Sequence, residues 1–171
     1  MNGFQRRILS GLNAVSARYL VIGAQAMRAH GIDRETQDLD LLLSPQREDA
    51  AKLLGVLVQI DARFSLRLSI DVLLRPLLRI PIHSAHSVEV DLLTTIDGID
   101  FEEAFRCRQW LELDSQACHV AAVTDIIAMK ELSRAKCRAD AIRPSMSEDN
   151  VRRALAMAAK DSADIEMLRA L

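Results

Sequence analysis

Two acidic residues, Asp38 and Asp40, lie two apart in the otherwise apolar run DLDLLL at 38–43. Side chains alternate along a strand, so a strand here sends both carboxylates to one face and Leu39 and Leu41 to the other. Each carboxylate buried without a partner costs several kcal/mol. A divalent cation is the usual resolution, since Mg²⁺ prefers one or two carboxylates together with substrate phosphates. A motif this short is equally compatible with two acids at an exposed strand end. A second pair, Glu89 and Asp91 in VEVDLL (88–93), repeats the pattern. If the two strands are neighbours, three carboxylates converge and can hold two metal ions about 3.5–4 Å apart, as in-line phosphoryl chemistry requires. Ahead of both pairs, Gly23 closes the apolar run Tyr19–Ile22 and opens a helical stretch. That places backbone N–H groups and a positive helix end beside the carboxylates, a phosphate seat next to a metal seat.

Several elements must position these groups. Phe4, Ile8, Leu12 and Val15 fall at helical spacing and predict an amphipathic first helix. Tyr19–Ile22 reads as a buried strand, Ala24–His30 as a helix stopped at Gly31, and 38–43 as the second strand. Ser44 is expected to cap a helix with Pro45 at its first position, running to about Val58. Residues 61–77 fit helix and strand equally. Leu78–His83 and Val88–Thr94 read as strands joined around residues 84–87. Asp100 is expected to cap a short helix through Arg106, and 109–113 and 118–122 to form a hairpin turning at Asp114–Ser115. Thr124 is expected to cap a helix to about Cys137, and Ser147–Leu171 is helical after a break at Pro144. Strands early and helices late make an α+β protein.

The length, 171 residues, predicts a single domain. The net charge of −2 argues against a general electrostatic grip on nucleic acid or an anionic membrane. No apolar run approaches the ~18 residues of a membrane-spanning helix, so a soluble protein without a membrane partner is expected. Arg6 and Arg7 before an apolar stretch imitate a signal peptide only loosely, because Ser10, Gly11 and Asn13 break it. Cys107, Cys118 and Cys137 are odd in number and without a CxxC pair, which suits reduced thiols in the cytoplasm. His30 closes a helix and is expected to cap or pack rather than to act on substrate. His83 and His86 lack further ligands close in sequence for a zinc ion.

The run hG-x-x-A-x-x-x-H-G-x-x-R-x-T-x-D-x-D-h, carried by Gly23, Ala26, His30, Gly31, Arg34, Thr36, Asp38 and Asp40, resembles the nucleotidyltransferase domain of the polymerase-β superfamily. It is most similar to the AbiEii/MNT-like branch of prokaryotic toxin–antitoxin systems. The stretch 90–107 is similar to that branch's third-carboxylate strand and following helix, and 122–133 to its lysine-bearing helix. The resemblance implies a polymerase-β-like fold: a small mixed sheet with flanking helices, a core at about 19–133 and a helical C-terminal part at about 134–171. It implies Asp38, Asp40 and Asp91 as ligands of a two-ion Mg²⁺ site, with Asp91, or Glu89 in its stead, helping to activate the attacking hydroxyl. Gly23 and Ala24 would meet the triphosphate of an NTP through their backbone, and Arg34, Thr36 and Lys130 would meet phosphates or the rest of the nucleotide. The implied partners are an RNA such as tRNA, a protein or a small molecule as acceptor, and a cognate toxin or antitoxin. The chain departs from the family at Ala24, where Gly or Ser is usual, and at Cys137, where an acid is expected after Arg134-Ala135-Lys136. The D-h-x-x-L element of that branch matches Asp164–Leu168.

Two other functions are compatible with the sequence. One is a catalytically silent nucleotidyltransferase-like module that binds a protein partner. The other is a DxD glycosyltransferase, disfavoured because no nucleotide-binding βαβ unit precedes the acids.

Overall fold

The computed structural model describes residues 1–83 and 88–171. The expected turn at 84–87, with His86, lies outside the described residues. The chain divides into two compact units, Met1–Ala122 and Val123–Leu171.

The first unit is built on a six-stranded mixed sheet: β1 (Tyr19–Ile22), β2 (Leu39–Leu43), β3 (Arg79–His83), β4 (Val88–Leu93), β5 (Gln109–Leu113) and β6 (Gln116–Val120), in the order β3-β4-β2-β1-β6-β5. Strand β2 runs antiparallel to β1 and parallel to β4. The helices α1 (Gly3–Ala14), α2 (Gly23–Ala29) and α3 (Arg47–Ile60) flank it, with the shorter α4 (Ile70–Leu73) and α5 (Phe101–Arg106). The class is therefore α+β. Tyr19, Leu20, Val21 and Ile22 are all buried, as are Leu39, Leu41, Leu42 and Leu43. These central strands are covered on both faces, which explains why they read as continuous apolar runs rather than alternating ones. Each fully buried Leu contributes about 1.5–3 kcal/mol. Only Asp40 interrupts the apolar run of β2, so its presence needs a reason other than packing.

Three local outcomes differ from the sequence reading. Helix α3 begins at Arg47 with Gln46 at its cap, not at Ser44–Pro45. The Ser44 side chain is buried, and its hydroxyl accepts hydrogen bonds from Arg18 (3.1 Å) and from the Gln46 N–H (3.3 Å), so it closes a turn before the helix. The ambiguous segment 61–77 resolves into a 3-10 turn over Ala62–Leu66, capped by Asp61, and the single-turn α4, capped by Ser69. Strand β2 starts at Leu39, which leaves Asp38 just ahead of it, exposed. The β5–β6 hairpin turns where expected: Asp114 and Ser115 both have positive φ (49° and 65°), and Leu113 pairs with Gln116. That is the two-residue turn whose twist matches a right-handed strand pair.

The second unit is a pair of helices, α6 (Val123–Ala141) and α7 (Glu148–Arg169), packed on each other. Helix α6 starts at Val123, with Thr124 inside its first turn rather than capping it. Ser147 caps α7 by accepting from the Asn150 N–H. Among the described residues no helix is long and apolar enough to cross a membrane.

Candidate active site

The parallel pairing of β2 and β4 puts Asp40 directly opposite Asp91. Register partners on adjacent strands share a face, about 4.7–4.9 Å apart across the ladder, so two carboxylates stand side by side in the sheet. Asp91 is fully buried and Asp40 half-buried. Glu89, two residues earlier, lies on the same face of β4 by alternation, but Asp91 is the acid in register with Asp40. Asp38, in the segment leading into β2, makes no hydrogen bond or ion pair among the described residues beyond the contact of its backbone carbonyl with the Thr36 hydroxyl.

Gly23 brings a backbone up against these acids. Strand β1 pairs Ile22 with Asp40, and the next residue turns at φ +65° to open α2. A Cβ at Gly23 would overlap the Asp40 carboxylate oxygen Oδ2 and lie 3.2 Å from its Cγ. Only glycine takes both this φ and this approach without strain. Helix α2 has no side-chain cap at its start, so its first N–H groups, those of Gly23 and Ala24 among them, are without a capping partner. At its far end His30 accepts the role expected of it: its Nε2 lies 2.8 Å from the Ala121 carbonyl and Gly31 reverses the chain at φ +91°.

Two residues missed by the sequence reading complete the arrangement. Arg79, on the edge strand β3, sits two positions from Pro81, the partner of Asp91. Its guanidinium forms an ion pair with Asp91 Oδ2. The hydrogen bond to Asp91, opposed by partial desolvation and reinforced by the charges of Asp91, Asp40 and Asp38, holds the guanidinium above the usual arginine range. A basic residue in the apolar run LLRIPIH (77–83) was the available signal. The second is Gln5, which is buried on α1. Its Nε2 donates to the Gln37 and Glu89 carbonyls, both at 2.7 Å, and its Oε1 accepts from the Asn2 N–H in a capping box. One amide thereby joins the segment before Asp38 to the strand of Asp91. Its signal was a polar residue one turn before Ile8 and Leu9 on the buried stripe.

Replacing that amide tests how much this tie contributes. Gln5→Met leaves the Glu89 carbonyl without its donor and breaks the capping box, while the Gln37 carbonyl can turn to water. A loss of about 2 kcal/mol is expected, read as a lower urea midpoint with an unchanged slope. A change under about 0.5 kcal/mol would show that the tie is incidental.

The carboxylates can be tested for their fit to a divalent cation. Asp91 Oδ1 is buried without a hydrogen-bond partner among the described residues, the state of an oxygen awaiting a donor or an ion. Asp91 Oδ2, however, is taken by Arg79. Among the described residues no group of three or more His, Cys, Asp or Glu side chains is arranged to hold a metal ion. The three-carboxylate, two-ion arrangement does not fit while Arg79 holds Asp91.

The remaining candidates are Arg34, Thr36 and Lys130. Arg34 donates to the Glu35 carbonyl at 3.1 Å, and the Thr36 hydroxyl to the Asp38 carbonyl at 3.4 Å, in the segment between α2 and β2. Lys130 belongs to the helical unit. Its Nζ meets Asp164 Oδ2 at 2.6 Å and Asp161 Oδ1 at 3.3 Å, and all three side chains are largely buried there.

No protein-family model matches the chain, and no curated protein matches it in sequence. Among solved structures, the chain is similar to an antigenic nucleotidyltransferase-like protein from Paracoccidioides brasiliensis, at 13% identity and a TM-score of 0.49, over 98% of this chain and 77% of that one.

Proposed function

We propose that the protein is a Mg²⁺-dependent nucleotidyltransferase that moves an NMP from an NTP onto a hydroxyl of an RNA, a protein or a small molecule. The resemblance of its motifs to the AbiEii/MNT-like branch of the polymerase-β superfamily adds a toxin–antitoxin setting to the proposal. The observation that carries it is the register pairing of Asp40 with Asp91 beside a glycine at positive φ that opens a helix. A sheet whose core is mostly Leu, Ile and Val has no packing reason to keep two acids abreast, whereas phosphoryl transfer needs such a pair.

In the proposed reaction the acceptor oxygen forms a bond to the α-phosphorus, the bond from that phosphorus to the α–β bridging oxygen breaks, and pyrophosphate leaves. Mg²⁺ would neutralise phosphate charge and polarise the α-phosphoryl group. Asp38 and Asp40 would hold the ion, and the Gly23 and Ala24 N–H groups would face the triphosphate oxygens. Arg34 and Thr36, in the segment leading to Asp38, would reach the rest of the nucleotide. Asp91 would take the proton of the attacking hydroxyl. Catalysis of this kind rests on positioning and charge neutralisation.

The direct test is thermal unfolding of the wild type and of Asp38→Asn/Asp40→Asn with each NTP, with and without Mg²⁺. A ligand at 100 times its dissociation constant adds about 2.7 kcal/mol, which for a chain of this length raises the midpoint by roughly 5–11 °C. The shift should require Mg²⁺ and vanish in the double variant. A second reading, the catalytically silent partner-binding module, is favoured by one observation, the hold of Arg79 on Asp91. It predicts no shift with any nucleotide and stabilisation by a protein partner instead.

A further inference from the structure

Asp91 presents an electrostatic problem that the fold solves without an ion. Its side chain is 1% exposed, on an inner strand, with Asp40 as its register neighbour on one side and Pro81 on the other. Proline supplies no charge, and a second carboxylate makes matters worse. The diagonal neighbour two residues along β3 is within reach of a long side chain, and that position is Arg79. Most of the Arg79 side chain is exposed while its guanidinium reaches Asp91 Oδ2. It also stands close enough to Asp40 and Asp38 to feel both charges.

We infer that Arg79 is a resident cation for the third carboxylate, in the position a second divalent ion would otherwise neutralise, so that this site takes one divalent cation rather than two. The geometry supports this, since Asp91 Oδ1 is the oxygen without a hydrogen-bond partner among the described residues, whereas Oδ2 already has its cation. Arginine is suited to this position because it stays charged, presents several donors and is less strongly hydrated than an ammonium group. The inference rests on the proposed use of this face as a cation site but not on nucleotide transfer. Arg79 acts through Asp91 and is a positioning residue.

The test needs neither nucleotide nor acceptor. Thermal unfolding of the wild type, Arg79→Met and Arg79→Met/Asp91→Asn is followed across a Mn²⁺ titration. Without metal, Arg79→Met should melt roughly 5–10 °C below wild type, because Asp91 is left buried and unpaired. Mn²⁺ should then raise its midpoint by several degrees more than it raises the wild type. In the double variant the midpoint should recover and the extra Mn²⁺ response should disappear. Calorimetric titration should count one Mn²⁺ on the wild type and two on Arg79→Met. An Arg79→Met midpoint and Mn²⁺ response equal to wild type would overturn the inference. So would two ions on the wild type, or a double variant no more stable than Arg79→Met. Should Arg79→Met fail to fold, a folded double variant still supports the ion pair as the cause, and failure of both overturns it. A chain that never transfers a nucleotide yet shows this metal response retains the resident cation and loses only the proposed reaction.

Discussion

Lys130→Met is expected to destabilise the helical unit, Val123–Leu171, by about 3–5 kcal/mol, the cost of removing one partner from a buried ion pair. The Lys130 side chain is 12% exposed and its partners Asp161 and Asp164 are 6% and 2% exposed. One ammonium holds two carboxylates, and Asp161 Oδ2 already lacks a hydrogen-bond partner among the described residues. Without Lys130 both buried acids lose the cation they share. Helices α6 and α7 bury modest apolar surfaces, with Ile126 and Met129 on one and Ala158, Ile165 and Leu168 on the other, so the packing has little reserve to absorb the change. Far-UV circular dichroism of the full chain in urea reads the effect, and Lys130→Met/Asp164→Asn should recover at least half of it. A Lys130→Met protein as stable as wild type, with its nucleotide response gone, would return Lys130 to the nucleotide-contact role that the family resemblance implies.

This ion-pair cluster illustrates what the sequence could and could not convey. The lysine-bearing helix and the Asp164–Leu168 element are each visible as local patterns, but their meeting across 34 residues follows only from the pairing of α6 with α7. The same division holds at the carboxylates. Alternation in 38–43 and 88–93 announces acids on one face of a strand, and Gly23 announces a turn. Placing Asp40 beside Asp91 needed the strand order, which depends on contacts 51 residues apart and leaves no local signature. Arg79 was still less legible, since its partner is fixed by the β3–β4 register and not by its own neighbours in sequence. Gln5 reaches residues 32 and 84 positions away. At Ser44 a sound local rule failed because a tertiary partner, Arg18, engaged the hydroxyl first. Local chemistry was readable wherever backbone geometry decided the outcome, as at Asp114–Ser115 and Gly31. It was unreadable wherever a long side chain chose among distant partners.

Gly23→Ala is the expected second large effect, and it links stability to the site. The residue sits at φ +65°, a conformation that costs an ordinary L-residue about 1–2 kcal/mol. The new methyl would also overlap Asp40 Oδ2. Forcing an extra group into a filled position adds about 1–3 kcal/mol, so the total should be about 2–5 kcal/mol in urea unfolding. The two contributions separate in the Asp40→Ala background. There the carboxylate is gone, the nearest remaining contact is the Asp40 Cβ at 3.4 Å, and the cost of Gly23→Ala should fall to the backbone part alone. The resulting coupling of about 1–3 kcal/mol is the signature of direct contact between neighbours. Additive effects would mean that Asp40 swings aside freely and that the glycine serves the turn only. If the coupling is present, Gly23→Ala must displace the Asp40 carboxylate from its place beside Asp91. The Mg²⁺-dependent nucleotide shift should then be lost even in a sample that remains folded at the assay temperature.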